Sequence, residues 1–318
     1  MVDKLFHILF GLWGGAGIDI LNILNGHYSI GFDKYELLRD GGSTSYAVFS
    51  GGEKFFLRII KPAFFDTAIT GADIQLFLQN KGFPVPPIKL TNDNYPYVKT
   101  DDKLYVLYNF IDGVESEPEK DAEAIGELVG KLHEVMRDYG GRLVKRRKQF
   151  YIGRYVDILR NRKYARVEEF FEYGEYLWEK IKNLPTGYCH GDMYCGNIHK
   201  TADGGLYILD FDTSCDGFLM YDPALICDMT DYFCFDELNF GRSKDVLRQF
   251  IPEYEKHRRL SQAEADAFVY LIAVQHFSTQ ATIMEIFGHD CLSDSELDYQ
   301  LEWLYRWRAQ CEADTGTR

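Results

Sequence analysis

Tyr188-Cys-His-Gly-Asp-Met-Tyr-Cys-Gly-Asn197, followed after a short gap by Leu206-Tyr-Ile-Leu-Asp-Phe-Asp212, decides how this chain is read. Asp192 and Asn197 stand five apart on what reads as one loop, and Asp210 closes an apolar run of strand character. Phosphoryl transfer asks little covalent help of a protein. It needs a carboxylate to orient an attacking hydroxyl and take its proton, and oxygen ligands for a divalent cation that bridges the phosphates. Asp192 can supply the first, Asn197 and Asp210 the second. Singly, each of these residues is an ordinary turn or cap; the combined string carries the reading.

Upstream, Tyr35–Arg39, Tyr46–Ser50 and Phe55–Ile60 are rich in β-formers. Gly41-Gly42-Ser43-Thr44 and Gly51-Gly52 separate them, which predicts an antiparallel meander. Phe64–Lys81 predicts a helix stopped by Gly82 and by Pro84, Pro86 and Pro87. Tyr95–Val98 and Leu104–Tyr108 add two strands turned by Asp101-Asp102. Beyond Phe110-Ile-Asp-Gly113 the texture is helical. Ile125, Leu128, Val129, Leu132 and Met136 share a helical face, and Arg154–Lys182 reads as helix. Ser261-x-x-Glu264 and Ser293-x-x-Glu296 have the pattern of capping boxes, and Leu297, Leu301 and Leu304 share a face after the second. The expected class is α+β. Residues 1–110 form a lobe with a five-stranded antiparallel sheet and one helix, and residues 111–318 a larger, mainly helical lobe.

The 318 residues are 46% apolar, enough for a sizeable core, and 15% aromatic. A net charge of −14 argues against a nucleic-acid binder. That charge is uneven: residues 142–166 carry +9, while 201–241 hold nine acids and no Lys or Arg. Seven cysteines, an odd number without C-x-x-C, suit reduced thiols in a cytoplasmic protein. A zinc site from Cys189, Cys195, His190 and His199 would fit no common ligand spacing. Leu5–Ile18 is an apolar run too short to span a bilayer and lacks an A-x-A site. It reads as an N-terminal helical segment packed on the body, with no membrane partner.

H-G-D-x-x-x-x-N with a strand ending in D-F-D resembles the aminoglycoside phosphotransferase and choline kinase-like family, which has a protein-kinase-like bilobal fold. The resemblance covers residues 35–232 and is tightest at 188–212. It implies that Asp192 is the catalytic base and that Asn197 and Asp210 hold Mg²⁺. Asp222 would brace the catalytic loop, with His190 structural. Gly42, Ser43, Thr44 and Ser45 would cover the phosphates of ATP, or GTP in its place, through backbone N–H groups. Arg58 takes the place of the strand-three lysine, with Asp73 as its acidic partner although the side chain is short. Backbone groups of Asn109 and Ile111 would meet the adenine edge. His133, closing a Leu-His pair, resembles a structural residue of the family.

The acceptor is the open point. Asp212, Asp216, Asp228, Asp231, Asp236 and Glu237, with Glu302, Trp303 and Trp307, suit an amine-bearing alcohol; the basic stretch 142–166 suits an anionic one or a solvated helix face. The expected function is phosphoryl transfer from ATP to a small-molecule hydroxyl. The alternatives are a nucleotide-binding pseudokinase and a kinase of an anionic metabolite. Nothing in the residues fixes an oligomeric state.

Overall fold

The computed structural model describes residues 20–41 and 43–315, with the side chain of Thr315 left aside. Leu5–Ile18 and Gly42 therefore lie outside the described residues. The chain divides into two compact units, with boundaries at Phe65/Asp66, Pro87/Ile88 and Phe110/Ile111.

In the first unit α1 (Ile20–His27) precedes β1 (Lys34–Arg39), β2 (Ser43–Ser50) and β3 (Glu53–Ile60), and β4 (Val98–Lys99) and β5 (Leu104–Asn109) follow later. They form one antiparallel sheet in the order β1-β2-β3-β5-β4. Alternation in β3 sends Phe55, Leu57 and Ile59 to one face, where they pack with Ile20 and Leu24 of α1. The edge strand β1 is exposed along its whole length and carries Lys34, Glu36 and Arg39, charges that discourage edge-to-edge pairing.

The second unit takes residues 66–87, and with them nearly all of α2 (Phe65–Asn80). It continues with β6 (Gly113–Glu115), α3 (Pro118–Val135), β7 (Val144–Lys145), α4 (Arg154–Asn161) and α5 (Val167–Ile181). Next come β8 (Thr186–Cys189), β9 (Ile198–Thr201), β10 (Leu206–Ile208), β11 (Cys215–Phe218) and α6 (Tyr221–Cys227). The chain closes with α7 (Leu238–Tyr254), α8 (Gln262–Phe287) and α9 (Asp294–Thr315). Two small sheets, β10-β9-β6 and β7-β11-β8, flank the quoted motif. Ile125, Leu128, Val129 and Leu132 of α3 are buried as their spacing predicts. Helices α3 and α7 approach closely because Gly126 has no side chain: a Cβ there would lie 2.3 Å from the Phe250 carbonyl oxygen. Ser261 and Glu264 make the reciprocal capping box that opens α8. Ser293 and Glu296 do the same before α9, with Glu296 N–H 3.3 Å from Ser293 Oγ and Ser293 N–H 2.7 Å from Glu296 Oε2.

Local departures from the sequence reading have physical causes. β2 starts at Ser43, because Ser43, Thr44 and Ser45 pair with Ile60, Ile59 and Arg58. The helix expected over 154–182 breaks in two. Lys163 turns left-handed at φ 60°, Lys163 N–H meets the Arg160 carbonyl at 2.9 Å, and Tyr164 N–H meets that of Leu159 at 3.0 Å. This is a Schellman stop made without glycine. The strand expected over 95–98 shrinks to Val98–Lys99.

Candidate active site

The site is built in the second unit on the loop between β8 and β9. Strand β8 delivers His190, Gly191 and Asp192, and a single 3₁₀ turn, Cys195–Asn197, returns the chain to β9. Gly191 has φ +80°, a backbone conformation that side chains disfavour. A Cβ there would also lie 2.6 Å from both the Thr213 carbonyl oxygen and Arg146 Nη1. Gly191→Ala is expected to cost about 1–3 kcal/mol through this forced conformation, read as a lowered denaturant midpoint with unchanged slope.

The loop is pinned from below by one carboxylate. Asp222, on α6, is fully buried; its Oδ2 accepts His190 N–H at 2.7 Å and its Oδ1 accepts Gly191 N–H at 2.9 Å. His133 Nε2 lies 3.1 Å from Asp222 Oδ2, and His133 Nδ1 lies 2.7 Å from the Tyr254 hydroxyl. Burial alone would raise the Asp222 carboxyl, but the hydrogen bonds and positive field of its partners outweigh it and hold the group below the ordinary range. His190 Nε2 lies 2.8 Å from the Leu209 carbonyl; a carbonyl only accepts, so Nε2 carries a proton. That bond ties the loop to the strand leading to Asp210, and Leu209 N–H returns the tie to the Asn197 carbonyl at 2.9 Å.

On this frame Asn197 Nδ2 donates to the Asp192 carbonyl at 2.8 Å and to Asp192 Oδ2 at 3.0 Å. With Nδ2 committed, Asn197 Oδ1 is the atom an oxygen-seeking cation would meet. Asp192 is raised above the ordinary carboxylate range, chiefly by burial; the nearby Asp210 charge adds to the rise, while His190, Asn197 and Arg146 oppose it. Asp210 is exposed and left-handed at φ 57° and ψ 77°, a conformation uncommon outside glycine and found at functional sites. Among the described residues no group of three or more His, Cys, Asp or Glu could hold a metal ion. A zinc site from Cys189, Cys195, His190 and His199 is thereby excluded, and Cys189 Sγ instead donates to the Phe218 carbonyl at 2.9 Å. Asn197 Oδ1 and the Asp210 carboxylate are oxygen donors that could hold a hard divalent cation completing its shell with phosphates and water.

The remaining candidates are dispersed. Asp212 is half-buried beside α2, its Oδ1 2.7 Å from where a Cβ on Gly71 would lie. Asp216 is committed to Arg147, whose Nη2 lies 3.2 Å and 3.1 Å from its two carboxylate oxygens. Glu302 pairs with Arg166 at 3.3 Å. Trp303 and Trp307 are core residues, stacked at 5.2 Å, with indole N–H groups donating to the carbonyls of Asp231 at 3.0 Å and Val269 at 2.8 Å. A surface for ligand is not what these two present. Asp228 is half-buried and pushed up to about 7 by desolvation, Asp231 and Asp236 accept backbone N–H groups of their own turns, and Glu237 pairs with Arg306. Asp73 lies on α2, its carboxyl raised by partial burial. In the first unit Arg58 sits mid-β3 between Ser45 and Val106, Ser43–Ser45 belong to the β2 ladder, and Asn109 ends β5 opposite Phe55. Ile111 belongs to the second unit, just before β6. Tyr254, which holds His133, and Arg146, which lies against Gly191, carry no motif signal in the sequence.

A model of the phosphotransferase enzyme family matches residues 34–260. A homoserine kinase of Rhodospirillum rubrum is 30% identical over 183 residues, 54% of this chain and 54% of that protein. The chain thus spans about half the length of the curated relatives it matches. Among solved structures, an amicoumacin kinase in complex with AMP-PNP, Ca²⁺ and Ami superposes with TM-score 0.70 at 18% identity, covering 94% of both chains. A microcompartment-associated aminopropanol kinase gives TM-score 0.66 at 16% identity, over 95% of this chain and 98% of that one. These structures share the protein-kinase-like fold. No described helix is long and apolar enough to cross a membrane.

Proposed function

We propose that this chain, which belongs to the phosphotransferase enzyme family, moves the γ-phosphoryl group of ATP to the hydroxyl of a small amine-bearing alcohol in the cytoplasm. The observation that carries the reading is the Asp192–Asn197 pair, fixed at 3.0 Å on a loop braced by buried Asp222. Asn197 pins Asp192 Oδ2, which leaves Oδ1 to meet the acceptor hydroxyl, orient it and take its proton. A carboxylate whose proton affinity is raised by burial is a stronger base than an exposed one. Asn197 and Asp210 would hold Mg²⁺, which would supply positive charge to offset the charge developing on the transferring group. The homoserine kinases among the relatives support an acceptor that joins a hydroxyl to an amine.

The test is ADP release, coupled to a second enzyme, over homoserine, ethanolamine, aminopropanol, aminoglycosides and sugar phosphates. Turnover of amine-bearing alcohols is expected; turnover confined to sugar phosphates would contradict the reading. Asp210→Asn removes a charged metal ligand and is expected to weaken nucleotide binding about 10–100-fold or more in Mg²⁺. Calorimetry with and without Mg²⁺ should show that loss only in its presence.

A further inference from the structure

The basic stretch 142–166 is mostly spent inside the second unit. Arg147 pairs with Asp216, Arg154 with Glu285, Arg160 with Glu168, Arg162 with Asp294, and Arg166 with Glu169. Arg146 differs. It is half-buried and has no carboxylate partner among the described residues, in a chain of net charge −14. Its guanidinium lies 4.0 Å over the Phe150 ring, and its Nη1 lies 3.4 Å from the Gly191 carbonyl, one residue before Asp192. The Arg146 N–H to the Asp216 carbonyl at 2.9 Å fixes the start of the side chain. Its field reaches the Asp192 carboxylate.

A half-buried guanidinium, oriented by an aromatic face and lacking a counter-ion, is built to receive a planar anion in a forked pair. An anion gripped there stands against the Gly191 carbonyl, on the loop that carries Asp192. Beside two aspartates, an acceptor carrying a negative group would be repelled without such a cation. We infer that Arg146 binds a carboxylate of the phosphoryl acceptor, so the enzyme selects hydroxy amino acids over amino-alcohols that lack the carboxylate. The inference rests on the phosphotransferase reading above and narrows its acceptor. It separates two chemistries that the similar proteins represent, one with a carboxylate and one without.

The experiment compares kcat/KM for homoserine and for aminopropanol, its decarboxylated analogue, in wild type, Arg146→Gln and Arg146→Lys. Mg·ATP affinity and melting temperature are measured alongside. Wild type should favour homoserine by about 10²-fold, as expected for one buried charge pair. Arg146→Gln should lose about that factor on homoserine, keep aminopropanol within a few-fold and retain Mg·ATP affinity; Arg146→Lys should fall between. An equal fall on both acceptors would assign Arg146 to the transferring phosphoryl group or to the loop, and overturn the inference alone. So would a homoserine preference that survives in Arg146→Gln, or a wild type that favours aminopropanol. If Arg146→Gln does not fold, wild-type discrimination with Arg146→Lys decides by the same criteria. No transfer to any acceptor by wild type would overturn the phosphotransferase reading, and this inference with it.

Discussion

Asp192→Asn should lower kcat by about 10²–10⁴-fold, the range for removal of a positioned base, and leave Mg·ATP affinity nearly intact. The amide keeps the shape of the carboxylate and a hydrogen bond to Asn197 by rotating, but it accepts no proton from the hydroxyl. Stopped turnover with normal nucleotide titration is the expected pair of results. The pH profile adds a sign. Burial raises the Asp192 carboxyl, so the base loads its proton at a higher pH than an exposed aspartate. The rate should therefore rise with pH through an acid limb above the ordinary carboxylate range, and Asp192→Asn should lack that limb. Loss of Mg·ATP affinity in Asp192→Asn, with affinity kept in Asp210→Asn, would exchange the roles assigned to the two aspartates.

Asp222→Ala should be the most destabilising single change near the site. It strands the N–H groups of His190 and Gly191, with His133 beside them, in a wholly buried place. Breaking a buried charged network of this kind costs about 3–5 kcal/mol, which denaturant unfolding should register. Asp222→Asn, which keeps the shape, should lose less. The same residue sets an acid dependence. Its folded-state carboxyl lies below the unfolded value, so the unfolded chain binds the proton more readily. The Asp222 contribution to stability is therefore complete above the unfolded value of about 4 and is lost as pH falls through the depressed folded value. Asp222→Asn should flatten that part of the stability profile.

How much of this was legible in the sequence differs from residue to residue. The strands around Gly51-Gly52 and the two capping boxes rest on local signals, and the structure contains them. The proximity of Asp192 and Asn197 was legible because a five-residue spacing on one tight loop leaves few other arrangements. The stop at Lys163 was not, because a left-handed lysine gives no composition signal. Trp303 and Trp307 read as ligand aromatics by type, yet their spacing had the better clue: with Gln300, Leu304 and Cys311 they follow the three-and-four repeat of a buried stripe. Arg146 was hidden in a run of ten basic residues within 142–166. Its neighbours Gly191 and Asp192 lie far along the chain, and only the pairing of β7 with β11 and of β11 with β8 brings them beside it.

The most direct test of the account is phosphorus NMR of the chain incubated with Mg·ATP and homoserine. The predicted result is a new phosphomonoester resonance, coupled to the methylene protons of the acceptor, growing as ADP appears and absent with Asp192→Asn. ADP formed with free phosphate alone, or an unchanged ATP spectrum under conditions where an amine-bearing alcohol panel is also inert, would contradict phosphoryl transfer to a small-molecule hydroxyl by this site.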